Sequence, residues 1–362
     1  MENKIVHKVE NGIGWLTLNR PDKLNALSVP MIHTLYEIFN DWKFNDAVKL
    51  VVLQGAGEKA FCAGGDVRHL YDRKGIDVQE VAQEFFATEY KMNMLMHTFG
   101  KPILVYMNGI VMGGGVGVAV AGSHRIVTET TKWAMPEMNI GLYPDVGGSY
   151  FLNKMPQHIG RYLALTSFMV KAADVLYSGA ADYYLASSKW PQLLESIQKV
   201  NWQETDVLSS LESEVDKFTE PCPNTGQLED IAHDIEAHFG QNTLESIVYS
   251  LEEASVKGIT WAERTVETIL KKSPTSLKVT LEQLIKGECL PIKDCFMMEL
   301  NMSMNFMDSH DFFEGVRSVL VDKDRNPTWN PETLEAVSKL DVDAFFTFNW
   351  PNGQNPLSNF KL

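Results

Sequence analysis

The sequence has no stretch approaching about 18 uncharged apolar residues, so no membrane-spanning helix is expected. Cysteine is sparse: Cys62, Cys222, Cys289 and Cys295 show no CxxC spacing. They are too few and too scattered for a disulfide scaffold, which fits a reducing compartment. Positive charge is short as well, with 32 Lys+Arg against 47 Asp+Glu and a formal net charge of -15. That balance argues against a broad nucleic-acid surface and against binding to anionic lipid, so any anionic ligand must be held locally. Neither a G-x-G-x-x-G nor a phosphate-loop lysine pattern is present, and there is no internal repeat or low-complexity segment. The start, Met1-Glu2-Asn3-Lys4-Ile5, carries neither an apolar signal core nor an Arg/Ser-rich transit pattern. The ending Phe360-Lys361-Leu362 only partly resembles a peroxisomal signal, and a cytosolic protein is the expectation.

What remains is an ordinary globular composition, 44% hydrophobic and 22% charged over 362 residues. This length predicts two domains, or one large domain with an appendage. Gly12 to Leu18 reads as a strand ending in the turn Asn19-Arg20-Pro21-Asp22-Lys23-Leu24-Asn25. Ser28 can cap a following helix with Pro30 in its first turn and Ile32, Leu35, Ile38 and Phe39 on one face. Lys49 to Gly55 suits a buried strand, Ala56 to Asp66 a loop, and Val81 to Phe99 a long helix broken by Pro102. Alternating strands and helices indicate an α/β core. After about Ala186 glycine thins out and helical patterns take over, as in Leu244, Ile247, Val248 and Leu251. The division predicted is a core over 1–200 and a helical region over 201–362. Ser273-Pro274 can start a helix carrying Leu277, Leu281, Leu284 and Ile285.

The organising stretch is Asn108 to Gly148. Ile103-Leu104-Val105-Tyr106-Met107 leads into Asn108-Gly109 and then Gly113-Gly114-Gly115, followed by an uncharged run to Ala121. Three adjacent glycines cost backbone entropy, so their gain lies in φ freedom or in close approach of another group to the main chain. Such a turn at a helix N-terminus can offer free N–H groups to an oxygen that becomes an anion. It could equally be a tight turn packed on a neighbour. Glu137 after Pro136 could be a first-turn helix acid, and Asp145 between Pro144 and Val146 a turn residue. His233 and His238 are five apart, a poor match for a helical metal pair, and no metal site is expected.

Taken together these residues resemble the enoyl-CoA hydratase/isomerase (crotonase) superfamily, and more closely its 3-hydroxyisobutyryl-CoA hydrolase branch, over nearly the whole chain. The superfamily elements are Asn19-Arg20-Pro21 with Leu24-Asn25-Ala26-Leu27, Phe61-Cys62-Ala63-Gly64-Gly65-Asp66, and Asn108-Gly109 through Gly115. The branch-like elements are Met135-Pro136-Glu137, Ile140 to Gly148, Leu163 to Thr166, Ser273 to Lys278 and Asp311 to Asp324. The resemblance implies a spiral of ββα units with a mainly α-helical C-terminal region that covers the core or forms trimer or hexamer contacts. It also implies an acyl-CoA substrate, with CoA as part of that substrate and no separate cofactor.

Residue by residue, the resemblance places two thioester-oxygen donors on the N–H groups of Gly65 and Gly114. Contacts to CoA fall on Lys23, Asn25, Ala26, Ala63, Gly64, Gly65, Asp66, Gly113 and Gly114, with Arg20, Lys23 and Lys59 as candidates for its phosphates. The hydratase pattern has a glutamate three residues after Gly114. Here that position is Gly117, while Glu137 keeps the second carboxylate. Losing one of two carboxylates makes addition of water to a double bond improbable. The branch pairs Glu137 with Asp145 instead. Glu137 could attack the thioester or act as general base on water, and Asp145 could bind a 3-hydroxyl or help protonate the leaving thiolate. Cys62 adjoins this region but reads as a packed residue, and Trp133 and Tyr143 as core or acyl-pocket walls. Double-bond isomerisation by Glu137 and silent acyl-CoA binding are the competing readings.

Overall fold

The computed structural model describes residues 4–361; Met1 to Asn3 and Leu362, on which the two terminal readings partly rest, lie outside the described residues. The strands are β1 (Ile5–Glu10), β2 (Ile13–Leu18), β3 (Leu50–Gly55), β4 (Ala60–Cys62), β5 (Ile103–Met107), β6 (Ile110–Met112), β7 (His124–Val127), β8 (Lys132–Ala134), β9 (Val170–Lys171) and β10 (Tyr183–Tyr184). One sheet has the order β1-β2-β3-β5-β7-β10 and the other β4-β6-β8-β9. Three times in succession the chain gives a strand to the first sheet, then one to the second, then a helical turn. The pairs are β3/β4, β5/β6 and β7/β8, followed by helices at Val78–His97 and Gly114–Val120 and the 3-10 turn Glu137–Ile140. This is the ββα spiral, and β2, β3, β5, β7 and β10 run parallel within it.

The first sheet is covered on both faces, which is why β3 reads as an unbroken apolar run. Its period of two sends Val51 and Leu53 into the main core and Leu50 and Val52 to the other face. There Trp190, Leu193, Ile197 and Trp202 pack from a helical segment after β10. The predicted loop Ala56 to Asp66 therefore contains a strand, β4. At three residues, with a register shift between Ala60 and Cys62, it is too short to show a period of its own. The helix predicted from Val81 starts at Val78. Ser28 stands at the N-cap of the Val29–Phe44 helix, but its hydroxyl is buried without a partner, so the proline in the first turn sets the start instead.

Among the described residues all strands precede residue 185, and the chain beyond is helical. The later helices do not stand apart. The Ile292–Phe306 helix packs on Val78–His97, with the Tyr90 and Phe296 ring centroids 5.4 Å apart and Tyr143 and Phe306 5.2 Å apart. Ser273 caps the Pro274–Gly287 helix by accepting from the Ser276 N–H, and its hydroxyl donates to buried Asp311 at 2.5 Å. Two distant C-terminal motifs are thereby tied together over the core.

Candidate active site

Two glycine turns meet at the mouth of the main cavity. The first is held by Leu27, whose N–H donates to the Gly64 carbonyl and whose carbonyl accepts from the Asp66 N–H. The second follows β6, where Gly113 adopts φ 52, ψ -122, a conformation that L side chains rarely enter, and starts the Gly114–Val120 helix. The turns are in contact: a Cβ on Gly114 would lie 3.1 Å from the Gly65 nitrogen, and one on Gly64 3.6 Å from the Gly114 nitrogen. Among the described residues neither the Gly65 nor the Gly114 N–H donates to a protein acceptor. Two bare donors therefore stand side by side at the edge of a cavity of about 580 Å³.

Of the residues predicted for CoA, Lys23, Ala26, Ala63, Gly64, Gly65, Asp66, Gly113 and Gly114 line that cavity. Asn25 does not. It is fully buried, its amide Nδ2 donating to the Ala56 and Ala60 carbonyls and its Oδ1 accepting from the Arg20 N–H, so it holds the loop rather than the ligand. Arg20 is also committed, to Asp66 at 3.0 Å and the Ala26 carbonyl, and Lys59 lies off the cavity. The cations on the cavity wall are Lys23, Arg68 and Lys323.

The same cavity also carries acids. Glu137, Asp145 and Glu89 all line the cavity, at 6%, 6% and 1% exposure. Glu137 starts the 3-10 turn after β8 and aims at the glycine turn: a Cβ on Gly113 would stand 2.7 Å from its Oε1, while its Oε2 is buried without a partner. Glu89 reaches the same place from the Val78–His97 helix, its partnerless Oε1 2.6 Å from where a Gly114 Cβ would be. Asp145 Oδ2 accepts from the Tyr90 hydroxyl at 2.9 Å. Tyr90, Tyr143 and Ser303 form a closed triangle of hydroxyls, and Tyr143 donates to the Glu299 carbonyl. The C-terminal helix thus holds the Asp145 partner in place.

Burial pushes all three acids upward, because the charged form loses its water. Asp145 rises least, to about 6, since the Tyr90 hydroxyl holds it down. Burial and then the Asp145 charge raise Glu137 and Glu89 well above the ordinary carboxylate range, Glu137 further through Glu89. The first proton lost belongs mainly to Asp145, and the next must leave against its charge. Cys62 is buried with its thiol pushed up to about 12, a packed residue. Trp133 and Tyr143 are core rather than cavity wall.

The structure also closes position 117. A Cβ on Gly117 would lie 2.5 Å from the Cβ of Val146, which is buried, has φ 51 and follows Asp145 directly. A glutamate at 117 could enter only by displacing the Asp145 turn.

Three site residues escape the sequence reading: Glu89, Tyr90 and Ser303. For Glu89 and Tyr90 the signal was present in the helix pattern, where Phe85, Phe86, Glu89, Tyr90 and Asn93 follow i, i+1, i+4, i+5, i+8 and all are buried; Ser303 lies on the later Ile292–Phe306 helix. Polar residues on an apolar face are the mark of a site or a network.

The family described as Enoyl-CoA hydratase/isomerase matches residues 13–346. The 3-hydroxyisobutyryl-CoA hydrolase, mitochondrial, of Gallus gallus is 42% identical over 96% of this chain and 89% of that protein. The human protein of the same name is 38% identical over 92% and 86%. The chain belongs to the enoyl-CoA hydratase/isomerase family, in its 3-hydroxyisobutyryl-CoA hydrolase branch. Among solved structures of that family, one titled a carnitinyl-CoA dehydratase from Mycobacterium thermoresistibile matches with TM-score 0.88 and 34% identity, covering 98% of this chain and 99% of that one. An enoyl-CoA hydratase from Rhodobacter sphaeroides matches at 0.85 and 32%, over 95% and 97%. Both coverages extend through the helical C-terminal region, so the whole architecture is shared.

The relatives overturn the cytosolic expectation: these family members are named mitochondrial. Address signals are short separable segments, and the composition of a folded core carries no record of them.

Proposed function

We propose that this chain hydrolyses a 3-hydroxyacyl-CoA thioester, 3-hydroxyisobutyryl-CoA above all, releasing 3-hydroxyisobutyrate and CoA as a step of valine breakdown. One observation carries the choice of hydrolysis over hydration. Glu137 keeps a partnerless buried oxygen beside the glycine turn, while the second hydratase position, Gly117, is closed by Val146. Support for the acyl group comes from relatives about 40% identical over most of the chain that carry the hydrolase name.

The thioester carbonyl oxygen sits between the Gly65 and Gly114 N–H groups, which form an oxyanion hole. Such donors are worth about 10²–10³ each, because they meet charge that develops only in the transition state. Glu137 adds to the carbonyl carbon, the C–S bond breaks, CoA leaves as thiolate and takes up a proton, and water opens the resulting anhydride. Alternatively Glu137 takes a proton from the water that attacks. Burial and the charge of Asp145 raise Glu137, which makes it a stronger base than a solvated glutamate. Asp145, fixed by Tyr90, accepts the substrate's 3-hydroxyl, and acyl groups without one leave it unpaired. Glu89 offers a further polar contact beside Gly114. With backbone donors supplying the electrophile, no metal is required, and EDTA is expected to leave turnover unchanged. Residues 319, 320 and 323 of the same chain complete the cavity, so trimer or hexamer formation through the C-terminal helices would add no residue needed for turnover.

The test is thiol release from 3-hydroxyisobutyryl-CoA beside 3-hydroxypropionyl-CoA, isobutyryl-CoA and crotonyl-CoA, with the enoyl absorbance followed in parallel. Rapid release from the hydroxylated thioesters alone is expected. Loss of the crotonyl double bond without thiol release would instead establish a hydratase or isomerase, and binding without any turnover a silent acyl-CoA-binding protein.

A further inference from the structure

A second cavity, about 410 Å³, adjoins the first and shares Asn139 and Val319 with it. In a chain of net charge -15 its ionisable lining is wholly cationic: Lys271, Lys272 and Arg325, with no carboxylate. Among the described residues none of the three forms an ion pair. Lys272, half-buried, spends its ammonium on one neutral acceptor, the Asn139 side-chain oxygen. Burial and the neighbouring Lys271 push it down to about 8, and no acid opposes them. Ser318, fully buried on the same wall, has a hydroxyl without a partner. Elsewhere in this segment Arg317 gathers Glu314, Asp322 and Asp324, while Lys323 forms no ion pair among the described residues and lies on the first cavity. Arg325 is left over, on a turn whose N–H donates to the Ser318 carbonyl at 3.1 Å.

Lys272, partly desolvated with no counter-charge, and the bare Ser318 hydroxyl are costly unless something completes them, and the exposed Lys271 and Arg325 add positive charge at the same rim. The complement of two lysines, a guanidinium fork and a hydroxyl is a compact oxyanion with several acceptors, and phosphate fits that description. We propose that this cavity is a second anion site, built for a phosphate or phosphate monoester, and that it bears on the catalytic turn through Asn139. Asn139 lies two residues after Glu137 in the same 3-10 turn. An anion that draws the Lys272 ammonium away therefore changes the support of that turn. The occupant is either a separate phosphorylated metabolite or the 3′-phosphate of CoA reaching past Val319. Phosphate binding there requires nothing of the hydrolase chemistry.

The experiment is calorimetric titration of the full chain with inorganic phosphate against chloride at constant ionic strength, with melting followed in parallel. One saturable site and a phosphate-dependent rise in Tm are expected. Arg325→Gln and Lys271→Gln, both at exposed positions, should each weaken binding at least tenfold, and Trp329→Phe, on the cavity wall, should remove a phosphate-induced fluorescence change. Competition separates the sources. Displacement by CoA but not by dephospho-CoA assigns the site to the 3′-phosphate, and displacement by neither assigns it to a separate metabolite. Absence of saturable binding overturns the site. So does displacement by both compounds together with unchanged binding in Arg325→Gln, which would put the phosphate in the acyl-CoA cavity.

Discussion

The acid cluster at the cavity and the acid anchored behind it make an instructive pair. Glu137 and Glu299 are both buried, at 6% and 0% exposure, and burial pushes both upward. Behind the cavity every oxygen of Glu299 is used: Oε2 accepts from the Gly147 N–H, and Oε1 from the Ser149 N–H and hydroxyl. Gln283 joins the same knot through Ser149 and the Pro144 carbonyl. At the cavity an oxygen of Glu137 and one of Glu89 have nothing. Burial alone therefore does not mark a functional acid; burial with an open lone pair facing a cavity does. The satisfied acid holds the Asp145–Ser149 turn, and the unsatisfied ones wait for a ligand.

The sharpest way to break this contrast is Glu137→Gln. It should lower thiol release by about 10²–10⁴-fold while Tm stays or rises, because a desolvated acid has been removed. Loss of Tm with activity per folded molecule intact would make Glu137 a structural acid like Glu299. Gly117→Glu, which restores the hydratase residue type, should not restore hydration of crotonyl-CoA. Crowding Val146 should cost about 1–3 kcal/mol, read from urea unfolding, and thiol release should fall with it as the Asp145 turn shifts.

Glu299→Gln should show the reverse of Glu137→Gln. An amide cannot accept from both N–H groups and the hydroxyl, so stability should drop by about 1–3 kcal/mol with a smaller effect on turnover per folded molecule. The pH dependence follows from the same groups. Folding raises Asp145 to about 6 and Glu299 to about 8, so each contributes stability that is fully present below its unfolded value, near 4, and is lost as pH rises through its folded one. Stability should accordingly decline from pH 4 towards 8, and in Glu299→Gln the upper part of that decline should flatten.

The smallest effect is expected from Tyr90→Phe. Without its hydroxyl Asp145 loses the bond that holds it down, so the acid limb of the thiol-release profile should move to higher pH. A variant that loses stability but keeps the wild-type pH profile would reduce Tyr90 to packing.

Much of this was legible beforehand. Local pattern sufficed for the strand-turn-helix at Gly113, for the helix faces at Leu244 and Leu277, and for the order of motifs that led to the family. It failed where a residue's work is done across the fold. Asn25 looked like a ligand contact because it stands in a motif, yet its three hydrogen bonds tie it to the Ala56 and Ala60 carbonyls and the Arg20 N–H. Glu89 and Tyr90 looked like part of one more helix, since nothing local says that they face Gly114 and Asp145.

By itself the sequence determined the backbone vocabulary: which glycines can turn, which runs can be buried, and that position 117 carries no acid. Those are consequences of φ freedom, periodicity and residue type, which act over a few residues. Only the tertiary structure decided that Val146 closes position 117, that three carboxyls share one cavity, and that Ser303, 158 residues beyond Asp145, supports its partner Tyr90. Desolvation and charge coupling depend on distances in space, and a linear pattern does not contain them.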